Sequence, residues 1–388
     1  MKLKKAIATL LAAAVVLGTV LTTAGCSSSK EVRIGFVAQI SGSDAYVGQT
    51  AKLAVEDYVA ELNAKGGILG RKVKLIVYDS AGDATQAVNV TKRLIEQDKV
   101  SAIIGPEWSG GAIPLAPIVD AAKVPLVATT ATNTLVTVDE NGKLHPYMFR
   151  VSFIDPYQGY AISDFAYKEL GKRKVAFLTD VTAAYSKAIQ SYFEKHFTEL
   201  GGQVVDKEGY QANDVEFRAQ LSKIAQSGAD CLLVPTATYR DIGLVAKQAK
   251  ALGLKIQFLG VDGWYADELM AMAGDELEGA YMSSGVSDTD PQFAAYNAAF
   301  AAKHPGQKVN IYAYYALDAV MAIKAAIEQT GKTDPESIKN GLENLKDAQV
   351  FTSKLTIEKD THNPHNKPIL IIKISGKKFN IFKTYQPQ

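Results

Sequence analysis

The chain has 388 residues, a formal net charge of +1 at pH 7 and two cysteines, Cys26 and Cys231. A balance this close to neutral lacks the basic surface that nucleic-acid-binding proteins use, so we expect no nucleic-acid partner. The length exceeds what one hydrophobic core usually supports, which predicts two lobes rather than one.

The amino terminus has the pattern of a secretory signal. Lysines near the start precede an apolar run over residues 6–21, and the small residues of Thr23-Ala24-Gly25-Cys26 follow. This pattern predicts a cleaved signal over residues 1–25 rather than a stable membrane span. The "TAGC" stretch resembles a bacterial lipobox, which implies a lipid on its cysteine, a tether over residues 26–30 and a membrane anchor. The alternative is an ordinary signal peptide with a chance cysteine.

From residue 32 onward, strand-like and helix-like segments alternate with short turns between them. The first series contains "VRIGFV", a helix near 48–64, "KVKLIVYD", a helix near 84–97, "SAIIG", a helix near 112–122 and "VPLVAT". The second series has a helix after each of "KVAFLTD", "QVVDKE", "DCLLVP" and "IQFLGVD". Strands that alternate with helices predict parallel sheets covered on both faces. We therefore expect an α/β fold of two doubly wound lobes with mainly parallel sheets.

The alternation breaks after residue 285. Two helix-like segments near residues 291–303 and 311–329 follow each other, and strand-like runs come at 350–358, 368–375 and 378–384. This change of pattern places a domain boundary near residue 285.

Hydroxyl side chains follow two neighbouring strands of the first series. Ser109 comes after "SAIIG", and Thr130 and Thr132 come after "PLVAT". Ligands of open α/β sheets bind at the carboxyl ends of the strands, so these turns predict a site for a carboxylate. Neither turn contains lysine or arginine, so hydroxyls and backbone N–H groups would hold the anion. The alternative is that each hydroxyl caps a helix.

The second series places an acid at the matching position. Asp262 directly follows "IQFLGV", while Tyr185 follows "VAFLTD" and Thr238 follows "CLLVP". An acid at a strand end is often a helix cap, but it can also accept hydrogen bonds from an ammonium group. Donors on one lobe and an acid on the other suit a zwitterion held between them.

The sequence shows none of the common catalytic motifs. It lacks a G-x-G-x-x-G phosphate loop, a P-loop and a G-x-S-x-G elbow, so we expect no enzyme activity and no cofactor. Cys231 lies in an apolar strand-like run and has no histidine partner by motif. His362 and His365 could bind a metal, but a polar turn between late strands explains them better, so we expect no metal site.

Several segments together resemble the periplasmic type I amino-acid-binding proteins of the leucine/isoleucine/valine group. They are "IGFVAQISGSDAYVGQ", "LNAKGGILGRKVKLIVYD", "IIGPEWSG", "ATTATN", "FLGVDGW" and "HNP", and the resemblance covers nearly all of residues 31–388. It implies two lobes joined by a three-strand hinge, which close on an amino acid and deliver it to the membrane permease of an ABC importer. We expect an exported monomer, periplasmic or at the cell surface.

The resemblance and the break after residue 285 together predict the lobe boundaries. Lobe 1 is expected over residues 31–153 and 286–350, and lobe 2 over residues 154–285 and 351–388.

The resemblance also implies roles for individual residues. Ser109 matches the serine that binds the ligand's α-carboxylate, Thr130 a backbone contact to the ligand and Thr132 a hydroxyl contact. Tyr185 matches a tyrosine near the head group, and Asp262 takes the place of the acid that holds the α-ammonium.

Other positions depart from the family pattern. Thr238 stands where branched-chain binders often have an aromatic residue, and Tyr46 where some have a tryptophan. Trp108 replaces a cysteine, and it either walls the cleft or packs beneath the loop. Neutral aliphatic amino acids are the leading ligands, with aromatic amino acids, amides or related small carboxylates as alternatives. A ligand-sensing receptor domain has the same fold, but no transmembrane or signalling segment follows Gln388 in this sequence.

Overall fold

The structure is a computed structural model that describes residues 31–385. The predicted signal over residues 1–25, the tether over residues 26–30 and Cys26 lie outside these residues. Within the described part of the chain, no helix is both long enough and apolar enough to cross a bilayer.

The first part of the chain builds a five-stranded parallel sheet. Its strands are β1 Val32–Ala38, β2 Val73–Asp79, β3 Ala102–Ile104, β4 Leu126–Ala128 and β5 Met148–Arg150. They lie in the order β2-β1-β3-β4-β5. β1 is an inner strand, and its residues Val32, Ile34 and Phe36 are fully buried. This continuous apolar character is typical of a parallel strand covered on both faces.

Four helices accompany this sheet: α1 Tyr46–Ala64, α2 Ala84–Glu96, α3 Ser109–Ala112 and α4 Ala116–Ala122. The single helix predicted near residues 112–122 is divided, because a 3₁₀ turn at Ile113–Leu115 separates α3 from α4. Pro114 and Pro117 favour this division, since neither can donate the backbone N–H that a continuous helix needs.

The second sheet has seven strands. They are β6 Lys174–Asp180, β7 Gln203–Tyr210, β8 Cys231–Leu233, β9 Gln257–Gly260, β10 Tyr281–Ser284, β13 Ile369–Ser375 and β14 Lys378–Tyr385. Their order is β14-β13-β10-β9-β8-β6-β7, and only β13 and β14 run antiparallel to their neighbours. Cys231 is buried in β8, as its apolar surroundings predict.

Five helices accompany the second sheet: α5 Asp155–Lys168, α6 Ala184–Glu199, α7 Arg218–Gln226, α8 Tyr239–Ala251 and α9 Asp267–Ala273. α5 packs closely on α6 at Gly159, where a Cβ atom would stand 2.7 Å from the Cβ of Tyr192. This close packing fixes the two helices relative to each other.

After β10 the chain returns to the first sheet through α10 Ala294–Lys303, α11 Ile311–Thr330 and α12 Pro335–Glu343. α11 packs on α1 and contacts β3 and β4. Its start is fixed by Asn310, whose side chain accepts a hydrogen bond from the N–H of Ala313 at 3.2 Å. α11 ends at Thr330, and Gly331 after it has the left-handed conformation that glycine adopts most easily.

The strand predicted over residues 350–358 does not form as a single element. The structure instead has a short ribbon of β11 Ala348–Gln349 and β12 Lys354–Leu355. Between them, the N–H of Thr352 donates to the buried carboxylate of Asp318 at 2.8 Å, so a side chain replaces a neighbouring strand as its partner. The runs predicted at 368–375 and 378–384 correspond to β13 and β14.

The chain crosses between the two sheets three times: between β5 and α5, between β10 and α10, and between β12 and β13. The prediction of an α/β fold with two lobes and mainly parallel sheets is confirmed. Because the crossings hold the sheets side by side, the carboxyl ends of their strands can border one common cleft.

Candidate ligand-binding cleft

A cleft of about 430 Å³ lies between the two sheets. Most of its lining comes from the ends of β1, β3 and β4 and the segments after them on one side, and from those of β6, β8 and β9 on the other. We call these sides the first wall, with Gln39, Asp44, Glu107, Ser109 and Thr130, and the second wall, with Asp180, Tyr185, Thr238 and Asp262. This is the edge of an open α/β sheet at which ligands bind.

The structure brings most of the predicted binding residues to this cleft. Those that line it are Trp108, Ser109, Thr130, Tyr185, Thr238 and Asp262. Thr132 is fully buried and is not part of the lining, and its carbonyl accepts the N–H of Asp155 at 3.0 Å. Tyr46 also lies outside the lining, where the two lobes touch.

Hydrogen bonds connect the two turns of the first wall. Thr130 Oγ1 donates to the carbonyl oxygen of Glu107 at 2.6 Å. Ser109 Oγ accepts the N–H of Asn133 at 3.2 Å. Because each hydroxyl contacts the other turn, the two turns form one polar surface with a fixed backbone.

Arg150 braces the loop behind this wall. Its guanidinium is fully buried and donates to the carbonyl oxygens of Ala131 at 2.9 Å and Asn133 at 2.7 Å. These contacts fix the backbone on both sides of Thr132. Sequence reasoning missed Arg150, although a charged residue at the end of the apolar run "MFR" was the signal available.

Trp108 both packs against α3 and lines the cleft. Its backbone is extended, with φ −123° and ψ 150°, and Ser109 follows as the first helical residue. A Cβ atom on Gly111 would lie 2.4 Å from the indole ring, so only glycine lets the ring rest against this helix. The two roles predicted for this tryptophan therefore coexist.

The second wall is organised around Asp262. Its Oδ1 accepts hydrogen bonds from Gln158 Nε2 at 3.0 Å and from the hydroxyl of Tyr185. Gln158 belongs to α5 and Tyr185 to α6, so the closely packed helix pair orients the carboxylate. Burial raises the pKa of Asp262, and the hydrogen bonds from these two side chains oppose that increase. Asp262 is thus held in one place with an oxygen available to a cationic partner.

Acids dominate the ionisable groups of the cleft. Asp44, Glu107, Asp180 and Asp262 line it, and no lysine or arginine of residues 31–385 does. Sequence reasoning missed Glu107, which is 3% exposed and accepts the N–H of Gln39 through Oε2 at 3.3 Å. Burial raises the pKa of Glu107 to about 8. An acid between Pro106 and Trp108 in a strand-end turn was its visible signal.

The lobes also contact each other directly. The ring of Tyr46 lies edge-on to that of Tyr239, with centroids 5.6 Å apart. Asn133 Nδ2 donates to the carbonyl oxygen of Ala184 at 3.2 Å, and Lys308 pairs with Asp267 at 2.8 Å. Contacts of this kind hold the two walls face to face.

The two histidines of "THNPHNKP" have separate partners. His362 is fully buried, stacks on Phe149 with ring centroids 3.9 Å apart and contacts Glu343 at 3.1 Å. His365 instead contacts Glu358 at 2.9 Å. Among residues 31–385, no group of three or more histidine, cysteine or acidic side chains is placed to hold a metal ion.

The family model described as "Periplasmic binding protein" matches residues 31–378. The chain belongs to the periplasmic binding protein family. Membership in this family means a binding role outside the cytoplasm. The predicted resemblance to its leucine/isoleucine/valine group is confirmed by the relatives and solved structures that follow.

Two curated relatives illustrate the similarity of this periplasmic binding protein to amino-acid binders. The Leu/Ile/Val-binding protein homolog 2 of Brucella abortus (strain 2308) is 30% identical over 82% of this chain and 84% of its own length. The leucine-, isoleucine-, valine-, threonine-, and alanine-binding protein of Pseudomonas aeruginosa is 27% identical over 80% of this chain and 82% of its own length.

Two solved structures share the architecture of this periplasmic binding protein. A leucine binding protein of Thermotoga maritima MSB8 superposes with a TM-score of 0.83 at 29% identity, covering 92% of this chain and 99% of the other. A branched-chain amino acid transporter substrate binding protein of Streptococcus pneumoniae, in complex with isoleucine, superposes with a TM-score of 0.83 at 29% identity. The superposition covers 92% of this chain and 100% of the other.

Proposed function

We propose that this protein captures a free amino acid in the interlobe cleft and delivers it to the permease of an ABC importer. The observation that carries the proposal is the pairing of the two walls. Asp262, oriented by Tyr185 and Gln158, faces the hydroxyl-bearing turns of Ser109 and Thr130. An acid opposite neutral donors suits a ligand with an ammonium and a carboxylate group.

The chemistry of the head group follows from this arrangement. The Asp262 carboxylate accepts hydrogen bonds from the α-ammonium, and the charge on both groups makes these bonds stronger than neutral ones. The Ser109 hydroxyl and the backbone beside Thr130 hold the α-carboxylate. Because the cleft excludes much of the water, leaving either charged group without a partner is costly.

The relatives support a neutral side chain on the ligand. Their names specify leucine, isoleucine and valine, and the Pseudomonas protein also threonine and alanine. Together with the apolar lining from Val47, Trp108 and Tyr312, this favours neutral aliphatic amino acids, including those with a hydroxyl group. Aromatic amino acids and amides remain the alternative occupants.

Closure of two lobes is part of the proposal. Residues 31–153 and 286–355 form lobe 1, residues 154–285 and 369–385 form lobe 2, and the three crossings act as the hinge; the last crossing follows β12 rather than residue 350, because β12 pairs with β11. The contacts of Tyr46 with Tyr239 and of Lys308 with Asp267 support this, because they join the lobes outside the cleft lining.

Lipidation of Cys26 completes the proposal, with the protein acting as a monomer tethered to the membrane. The lipobox-like sequence before Cys26 supports it. In the native host, Cys26→Ser is expected to move the protein from the membrane fraction to the soluble fraction, since the tether is lost. Unchanged fractionation of this variant would contradict the anchor.

A thermal-shift screen against the common L-amino acids tests the proposed function. A ligand that binds only the folded protein raises its melting temperature, so at least one amino acid should do so. Asp262→Asn should abolish the shift, whereas Asp275→Asn, on an exposed aspartate away from the cleft, should retain it. If no amino acid shifts the wild-type protein, the proposed function is wrong.

A further inference from the structure

One acid of the cleft has no part in the proposed head-group site. Glu107 lines the first wall with only 3% of its surface exposed. Its Oε2 accepts the N–H of Gln39 at 3.3 Å. Its Oε1 is buried and has no hydrogen-bond partner among residues 31–385. A buried polar atom without a partner is costly and calls for an explanation.

The other acids of the cleft lack this feature or already have roles. Asp180 accepts the N–H of Thr182 at 2.8 Å and its hydroxyl at 2.6 Å. Asp44 is less buried and accepts the hydroxyl of Ser43 at 2.9 Å. Asp262 accepts hydrogen bonds from Gln158 and Tyr185. Among the acids that line the cleft, Glu107 is therefore the one with a deeply buried oxygen that has no hydrogen-bond partner in residues 31–385.

The backbone relates Glu107 to the head-group site. Trp108 has an extended conformation, so the side chains of the residues before and after it project to the same side. Those residues are Glu107 and Ser109, and both line the cleft. The Glu107 carbonyl is also fixed by the hydroxyl of Thr130 at 2.6 Å. The acid thus stands two residues from the serine proposed to hold the carboxylate.

A purely structural role does not account for both oxygens. The bond from Gln39 uses Oε2 alone, and a glutamine could accept it equally well through its carbonyl oxygen. Burial raises the pKa of Glu107 to about 8, so near neutral pH the acid is largely protonated and its hydroxyl can donate. A neutral carboxylic acid that both donates and accepts hydrogen bonds matches a neutral polar group better than a purely apolar one.

We propose that Glu107 Oε1 hydrogen-bonds the side chain of the ligand, so that the cleft selects amino acids with a hydroxyl or carboxamide side chain over their apolar isosteres. This inference rests on the proposed function and specifies its substrate class. Glu107 is then a specificity-determining residue of the first wall, next to the residues that hold the head group.

The test is calorimetric titration with two near-isosteric pairs, threonine against valine and asparagine against leucine. In the wild-type protein the polar member of at least one pair should bind more tightly by about tenfold or more, since the apolar member leaves Oε1 unpaired. Glu107→Leu should remove or reverse that preference. Asp275→Asn, the exposed control, should keep it.

The outcomes separate the two proposals. If valine and leucine bind at least as tightly as threonine and asparagine to the wild type, or if Glu107→Leu leaves the preference unchanged, the role of Glu107 is wrong while amino-acid capture stands. Tightest binding by lysine or arginine would also overturn the neutral polar class. If no amino acid binds the wild type, the proposed function itself fails. The wild-type comparison decides even if Glu107→Leu does not fold.

Discussion

The two walls of the cleft differ in how their polar groups are satisfied. On the second wall, Asp262 is bound by Gln158 and Tyr185 from two tightly packed helices. On the first wall, Ser109 and Thr130 are bound to the backbone of neighbouring turns, while Glu107 retains a buried oxygen without a partner in the described chain. The second wall is thus prepared for one charged group, whereas the first combines a proposed carboxylate site with an acid that has one buried oxygen without a partner in residues 31–385.

The largest expected effect comes from breaking the second wall. Asp262→Ala removes the one acid proposed to pair with the ammonium, and losing one partner of a buried charged hydrogen bond typically costs about 2–5 kcal/mol. Affinity should therefore fall by at least about tenfold, measured by calorimetric titration. Circular dichroism should show an intact fold, and near-wild-type affinity would remove Asp262 from the site.

A second experiment examines Glu107 on the first wall through the pH dependence of the protein's stability. Burial raises the pKa of Glu107 from 4.5 to about 8, so the folded protein retains a proton that the unfolded chain releases between these values. Stability should then fall as the pH rises from about 5 to 8, by an amount on the order of a few kcal/mol at most. Glu107→Gln cannot titrate and should lose less stability over this range.

Urea unfolding at pH 5 and pH 8 measures the difference. Asp155, whose pKa burial raises to about 7, gives a residual dependence in both proteins. Equal losses of stability in wild type and Glu107→Gln would show that Glu107 is not buried as the structure has it.

A smaller effect is expected from the residue of the first wall that is proposed to hold the ligand's carboxylate. Ser109→Ala removes one hydroxyl, but the backbone of the same turn continues to face the carboxylate. The loss should be about 0.5–1.5 kcal/mol, or a few-fold in affinity by the same titration. A loss equal to that of Asp262→Ala would contradict the asymmetry between the walls.

The smallest effect concerns the contact that joins the lobes outside the cleft. Lys308 pairs with Asp267 at 2.8 Å, and the two side chains are 60% and 55% exposed. Lys308 also pairs with Asp288 at 2.7 Å, so the variant that removes only the interlobe pair is Asp267→Ala. Exposed ion pairs contribute about 0–1 kcal/mol, so Asp267→Ala should weaken ligand binding less than about fivefold. Adding salt should reduce the difference between the two proteins, and a larger loss that salt does not change would show that closure depends on more than this pair.

The fold and the presence of polar residues at the strand ends were predictable from the sequence. The orientation and burial of the individual side chains were not. The alternation of strands and helices places Ser109 and Asp262 at strand ends whatever the details of packing. Thr130 and Thr132 look equivalent in sequence, but the contacts of Arg150 with Ala131 and Asn133 fix the loop around Thr132, and the fold buries it. The helix predicted near residues 112–122 is divided at residue 113 because of two prolines, and the apolar pattern of the sequence does not show this division.

The burial of Glu107 is a second property that the sequence does not reveal. The sequence shows an acid in a turn, but its burial depends on Gln39 and Thr130, which belong to distant strand ends. Only their convergence removes water from the carboxyl group. The burial of this acid therefore depends on packing between segments that are far apart in the sequence.

The most direct test of the central claim, that the two walls grip opposite ends of a zwitterion, is a calorimetric titration with three ligands. They are the tightest-binding L-amino acid, the matching amine without the carboxylate and the matching acid without the ammonium. Both truncated ligands should bind at least about tenfold more weakly than the amino acid, because each leaves one wall without its charged partner. Binding of either truncated ligand as tight as that of the amino acid would contradict the claim.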